Sequence, residues 1–353
     1  MKRAARVLSP LAAAVAACAL AGPSERPGTP PVLENGWARA VPHSDVTPTR
    51  ERAARAATSW LGGATTTATG ETVTVYVSAS LPAELGTPQS WADFLAGLVH
   101  GRELSNLTAY IGTLTEIAEM CGPHALGCYG GNRMAAIGQR AFGISAEEVV
   151  RHEYGHHVAG NRVNPPWTAI DWGPKRWASQ ASICRRAADG GIFPGDEGDN
   201  YELNPGEAWA ETYRIMVEKK VGAIGSGWGL VDLSFLPDDA ALDAAERDVI
   251  QPWTATTRSM FRTRFTAKGK RVWSIPITTA LDGDVAITLG LPRGGVHDAV
   301  LVDRDRKAKL ATALWAGPST KRITTTVCGS RSLVLTIRHR GAFGQVVATV
   351  DKP

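Results

Sequence analysis

The sequence predicts an α+β domain followed by an all-β sandwich. Three observations support this. Between about residues 46 and 266, helix-periodic segments alternate with short runs of β-branched residues. Two of the helices, opening at Ser145 and Asn204, carry well-marked N-termini. From about Trp273 the texture changes to strand-length apolar runs divided by Gly, Asp, Pro and Ser turns. At 353 residues, 44% apolar and 20% charged, the chain can bury two cores.

Residues 1–21 read as a secretory signal: a basic start (Lys2, Arg3, Arg6), an apolar stretch broken by Pro10, and Ala19-Leu20-Ala21 before Gly22. The stretch is too short and interrupted for a stable membrane span. VAAC, Val15 to Cys18, resembles a bacterial lipobox, in which Cys18 would be lipidated, so soluble secretion and lipid anchoring both stay open. Either route leads to the extracellular space or the cell envelope, and membrane contact is expected only through such an anchor. The formal charge is +4, and the three cations of the signal account for most of it. The near-neutral remainder leaves no footprint for nucleic acid. Residues 22–45 are rich in Pro and Gly, lack periodicity, and read as a linker.

After either cleavage Cys121, Cys128, Cys184 and Cys328 remain, an even number in a chain bound for an oxidising compartment. CGPHALGC closes a small loop between Cys121 and Cys128, leaving Cys184 and Cys328 to each other. Three pairings are formally possible. A thiolate zinc site is the rival, and no CxxC spacing supports it.

Within 46–266, ERAARAATSWLGG reads as a short helix, ETVTVYVSASL as a strand, WADFLAGLVHG as a helix and LTAYIGT as a strand. Ser145 and Glu148 form a capping box, with Ile144 and Val149 at the staple positions and Gly160 available as the stop. Asn204 caps the next helix, Pro205 takes its first position, and lysines close it. PDDAALDAAERDVIQPW reads as a closing helix, placing the boundary near Thr266–Arg271 and the sandwich at 271–353.

The chemistry concentrates in HEYGH. His152 and His156, four residues apart, share one helical face within reach of a single ion, and Glu153 is rotated about 100° from His152 toward a bound water. Gly155 costs about 1 kcal/mol relative to alanine in a helix interior, which calls for a close backbone approach or a functional reason. A catalytic zinc needs a third protein ligand and an open position. Ala159 and Arg162 stand where HExxHxxGxxH would need glycine and histidine, so that solution is excluded. GEAWAE offers Glu207 instead, with Glu211 one turn on.

These segments resemble the gluzincins, the thermolysin-like zinc peptidases, over roughly residues 70–255. The resemblance implies a zincin-like α+β catalytic domain with Zn²⁺ on His152, His156 and Glu207, Glu153 as general base, and Glu211 supporting a histidine. Gly206 stands in place of the family's asparagine and Glu211 in place of its aspartate. Tyr201 is the first candidate for the oxyanion donor, with Tyr213 and His157 as rivals; His157, off the ligand face, is expected beside the site or in solvent. The C-terminal part is similar in texture to pre-peptidase C-terminal sandwiches. The expected activity is peptide-bond hydrolysis on a protein or peptide substrate by a monomer. A catalytically silent zincin-fold binding protein and a wall-associated adhesin are the alternatives.

Two further features are read structurally. Asp196, Glu197 and Asp199 could bind Ca²⁺ but lack EF-hand spacing and read better as an acidic surface loop. Trp167, Trp172 and Trp177 read as packing of an irregular connection rather than as a substrate wall.

Overall fold

The computed structural model describes residues 60–223, 230–316 and 320–353. The signal segment, the lipobox with Cys18 and the linker lie outside the described residues. Among those described, no helix is long and apolar enough to cross a membrane.

The first domain is built on a five-stranded sheet in the order β1-β2-β3-β5-β4. Its strands are β1 (Trp60–Thr66), β2 (Thr72–Ser78), β3 (Thr108–Gly112), β4 (Gly127–Gly130) and β5 (Arg133–Ile137). β2, β3 and β5 run parallel, with β1 and β4 antiparallel at the two edges. Trp60–Gly63, expected to end a helix, instead opens β1, and the earlier part of that expected helix is outside the described residues. A side chain at Gly62 would strike the Val75 carbonyl, and its φ of +124° suits glycine, so this residue permits close strand pairing.

Helix α1 (Pro88–Ala96) is capped by Thr87, and α2 (Leu114–Cys121) by Thr113. α3 (Ala146–Gly160) has both capping-box bonds between Ser145 and Glu148. Gly160 is its last residue rather than a stop beyond it; a side chain there would meet the Tyr129 hydroxyl. Short helices α4 (Ala169–Trp172), α5 (Lys175–Gln180) and α6 (Ile183–Ala188) form the irregular connection to α7 (Pro205–Val221). α7 opens as expected, with Asn204 accepting from the Gly206 amide and Pro205 at its first position, and α8 (Asp239–Ile250) closes the domain. The core forms where Val75, Ile111 and Ala136 of the sheet meet Val149, Tyr154, Trp209 and Tyr213 of α3 and α7, all fully buried.

The C-terminal part consists of two four-stranded antiparallel sheets that share a core including Ile277, Ile287, Leu301, Leu335 and Val350, a β-sandwich-like arrangement. One sheet orders β10 (Ala308–Ala316), β9 (Gly295–Asp303), β12 (Arg331–Gly341) and β7 (Val272–Thr279). The other orders β11 (Thr320–Val327), β8 (Gly283–Gly290), β13 (Gly344–Lys352) and β6 (Thr257–Phe265).

β6 corrects the expected boundary. It pairs with β13 along its whole length, so the first domain ends between Ile250 and Thr257 rather than near 266–271. Its outward Arg258, Arg262 and Arg264 suit an edge strand and dilute the apolar alternation that would reveal it. The domains are tied covalently by Cys184–Cys328, from α6 to the residue after β11. The Asp282 amide also donates to Ser179 Oγ at 2.8 Å, and the buried Lys175 ammonium, which donates to the Pro165 carbonyl, lies against Gly283.

Candidate metal centre

The site is made where α3 crosses α7. Gly155 permits the crossing: a Cβ there would stand 2.8 Å from Ala210 Cα and 3.0 Å from its carbonyl oxygen, and the Trp209 indole donates to the Gly155 carbonyl at 2.7 Å. The close approach expected of this glycine is therefore present. Gly155→Ala should gain about 1 kcal/mol of helix propensity and lose more by forcing two backbones apart. The expected net result in urea unfolding is a destabilisation of about 1–3 kcal/mol, and unchanged stability would contradict the crossing.

The crossing places the ligand atoms of His152, His156 and Glu207 within 4.8 Å of one another. Among the described residues no other group of three His, Cys, Asp or Glu side chains converges in this way. His152 Nε2 lies 3.1 Å from Glu207 Oε2, and His156 Nε2 lies 3.3 Å from Oε1. His152 and Glu207 are buried and His156 is partly exposed. The donor set, two imidazoles and one carboxylate, fits a divalent ion of borderline softness. Burial alone would raise the Glu207 pKa, but the two imidazoles outweigh it and hold this carboxyl well below the usual range.

Glu153 is buried and is not one of the converging ligands. Desolvation pushes its pKa up to about 7, with His152 and His156 pulling the other way. It lies beside edge strand β4, where a side chain on Gly127 would come within 2.6 Å of Glu153 Oε1.

Glu211 Oε2 lies 3.4 Å from His152 Nδ1, a contact that holds the ring with Nε2 toward Glu207. Arg214, which the sequence did not single out, grips Glu211 through Nε and Nη2 and donates from Nη1 to Glu218, itself 3.5 Å from Arg151. The chain His152–Glu211–Arg214–Glu218–Arg151 thus begins and ends on neighbouring residues of α3 after passing through α7.

Of the three oxyanion candidates, Tyr201 alone reaches the ligands: its hydroxyl donates to Glu207 Oε2 at 2.6 Å. Tyr213 donates to the Val99 carbonyl instead. His157 is fully buried, with Nε2 2.8 Å from the Glu103 carbonyl, neither in solvent nor beside the site; burial pushes its pKa down to about 4.

The acidic loop divides in a way its sequence does not show. Asp196, Glu197 and Asp199 do not converge. Asp196 accepts from the Gly198 amide and from Asn200, while Glu197 is held by Asn204 at 2.9 Å and feels the charges of Glu207 and His156. Burial, with Glu207 adding to it, raises the Glu197 pKa to about 8. Glu197 therefore neighbours the centre, and nothing in its local sequence separates it from an ordinary surface acid. Of the tryptophans, Trp177 is core, packed edge-on against Trp209, whereas Trp167 and Trp172 stack at 4.7 Å and stay partly exposed. Both disulfides have the expected pairing, Cys121–Cys128 and Cys184–Cys328.

No family model and no curated protein matches this chain. Among solved structures it is similar to the mitogen of Yersinia pseudotuberculosis, at 7% identity and a TM-score of 0.22 over 28% of this chain and 87% of that one. It is also similar to a carbohydrate-binding module of Cellvibrio mixtus lichenase 5A, at 13% identity and a TM-score of 0.19 over 28% and 92% of the two chains. The VP2 particle protein of infectious bursal disease virus matches at 12% identity and a TM-score of 0.17 over 28% and 32%. Overlaps at this level assign neither family nor activity.

Proposed function

We propose that this chain is a secreted or envelope-anchored zinc metallopeptidase of the gluzincin type, with a zincin-like α+β domain and a C-terminal sandwich. The observation that carries the reading is a buried carboxylate, Glu153, beside three converging side chains of which one, His156, is partly exposed. The two disulfides suit the oxidising compartment that secretion implies.

His152, His156 and Glu207 would hold the ion. Zinc in such a set lowers the pKa of a coordinated water to about 7 and polarises a carbonyl. Glu153 takes a proton from the attacking water and delivers it to the leaving amine as the C–N bond breaks. The Tyr201 hydroxyl, which donates to Glu207 Oε2 in the absence of substrate, is the proposed side-chain donor to the substrate oxyanion. β4 is an edge strand beside Glu153, so an extended peptide can add to the sheet there with its backbone next to the base.

The test is metal content together with turnover of casein or a peptide library by the purified protein. The expected result is one zinc per chain and turnover that a chelator removes and zinc restores. A protein that holds zinc and cleaves nothing would overturn the peptidase reading in favour of a silent binding protein.

A further inference from the structure

The near-neutral total charge conceals two opposed domains. Residues 60–256 carry 13 Lys or Arg against 24 Asp or Glu, a formal charge of −11, whereas residues 257–353 carry 17 against 6, a formal charge of +11. Within the sandwich the two signs also separate. At one end, loops 280–282 and 328–330 meet the first domain through Asp282 and Cys328, and five of the six acids lie at that end: Asp282, Asp284, Asp303, Asp305 and Asp351. At the opposite end β6, β8 and β12 finish and β7, β9 and β13 begin. Arg264, Lys268, Lys270, Arg271 and Arg293 lie there, all exposed, and among the described residues none of them pairs with a carboxylate. Arg338 and Arg340 follow on β12, with Asp298, 3.5 Å from Arg340, as the one acid. We propose that this outer end of the sandwich docks on an anionic lipid bilayer and holds the metal domain away from it. The proposal stands apart from the peptidase reading.

The cations belong to one surface. The Arg271 guanidinium lies 4.7 Å from the centre of the Phe343 ring, which joins loop 266–271 to the turn between β12 and β13. A side chain on Gly344 would strike Pro292, and one on Gly294 would touch Ala342, so loop 291–294 packs against the same turn. Like charges held this close repel one another, and an anionic surface relieves that repulsion as it binds. Each Lys or Arg brought to such a surface raises affinity about 5-fold.

Phe343 decides between a bilayer and a soluble polyanion. It is 43% exposed, at the tip of that turn and in the midst of the cations. The phosphates of a linear polymer would satisfy the cations and leave the ring in water, whereas a bilayer offers phosphates and, just below them, an apolar layer for the ring. A nucleic acid could cover the ring only by stacking, but Arg271 lies over it and His339 packs against it with centroids 5.2 Å apart. The first domain sets the orientation. At about 3.3 Å per residue, strands of this length separate the two ends of the sandwich by about 30 Å. That is several times the Debye length of about 8 Å at physiological salt, so the acidic domain does not cancel the attraction at the outer end.

The experiment is sedimentation with vesicles of phosphatidylcholine alone or mixed two to one with phosphatidylglycerol. It uses the exported chain carrying Cys18→Ser, so that no lipid anchor contributes. Binding to the mixed vesicles and none to the neutral ones is expected. Lys268→Glu, Lys270→Glu and Arg293→Glu together should weaken the partition about 100-fold or more. Arg304→Glu, Arg306→Glu and Lys309→Glu, the same charge change on exposed residues at the end that meets the first domain, should weaken it about 5-fold or less. Phe343→Ser should weaken vesicle binding about 5-fold, as expected for losing a partly exposed ring, and leave binding to inorganic polyphosphate unchanged. Unchanged unfolding midpoints check that the variants fold. Equal binding to both kinds of vesicle, or equal loss in the two triple variants, would overturn the docking surface. Unaltered vesicle binding by Phe343→Ser, with polyphosphate bound through the same Lys268, Lys270 and Arg293, would overturn the bilayer in favour of a soluble polyanion.

Discussion

Glu153→Gln should leave zinc bound while turnover falls by about 10²–10⁴ or more. The substitution keeps the shape of a buried side chain and leaves the three converging ligands untouched. What it removes is the group that can take a proton from water. Glutamine also fits beside β4, where the glycine at 127 leaves room for the side chain but little to spare. Metal analysis and peptide turnover on one preparation check the result. Joint loss of zinc and activity would make Glu153 a ligand, and retained turnover would place the base elsewhere, with Glu197 the next carboxylate to test.

The contrast between Glu153 and Glu197 shows what was legible in the sequence. Glu153 sits inside a five-residue pattern on one helix, where 3.6-residue periodicity converts spacing directly into geometry. Glu207 and Glu211 were legible for the same reason, since Asn204 and Pro205 fix where their helix starts. Glu197 lies on a loop, and only the fold of residues 193–204 carries it to the centre. Arg214 was hidden because its partners are a buried triangle of charges, while on sequence it resembles any helix-surface arginine. The sequence put Tyr201 ahead of Tyr213 and His157 but could not remove the two rivals, because the carbonyls that hold them, at Val99 and Glu103, are far away in the chain. At the level of the fold, β1 and β6 were obscured by glycines and arginines that serve pairing at sheet edges rather than periodicity.

Glu207→Ala should abolish both zinc retention and activity, whereas Glu211→Ala should lower zinc affinity or activity by only about 10–100-fold. Glu207 presents one oxygen to each histidine, so its removal leaves two imidazoles, too few donors to retain zinc against dilution. Glu211 touches His152 only through Nδ1, so its loss frees the ring without deleting a donor, and added zinc should restore part of the function. Its removal also leaves the buried Arg214 with Glu218 as its one remaining carboxylate partner, so some cost should appear as stability rather than affinity. Glu211→Gln separates the two effects: an acceptor for His152 remains while the charge facing Arg214 is lost. Zinc affinity near that of the unsubstituted protein combined with a lowered unfolding midpoint would assign Glu211 to orientation. The reverse ranking, with Glu211→Ala stripping the metal while Glu207→Ala retains it, would move the third ligand one helical turn along α7 and make Glu207 the supporting residue.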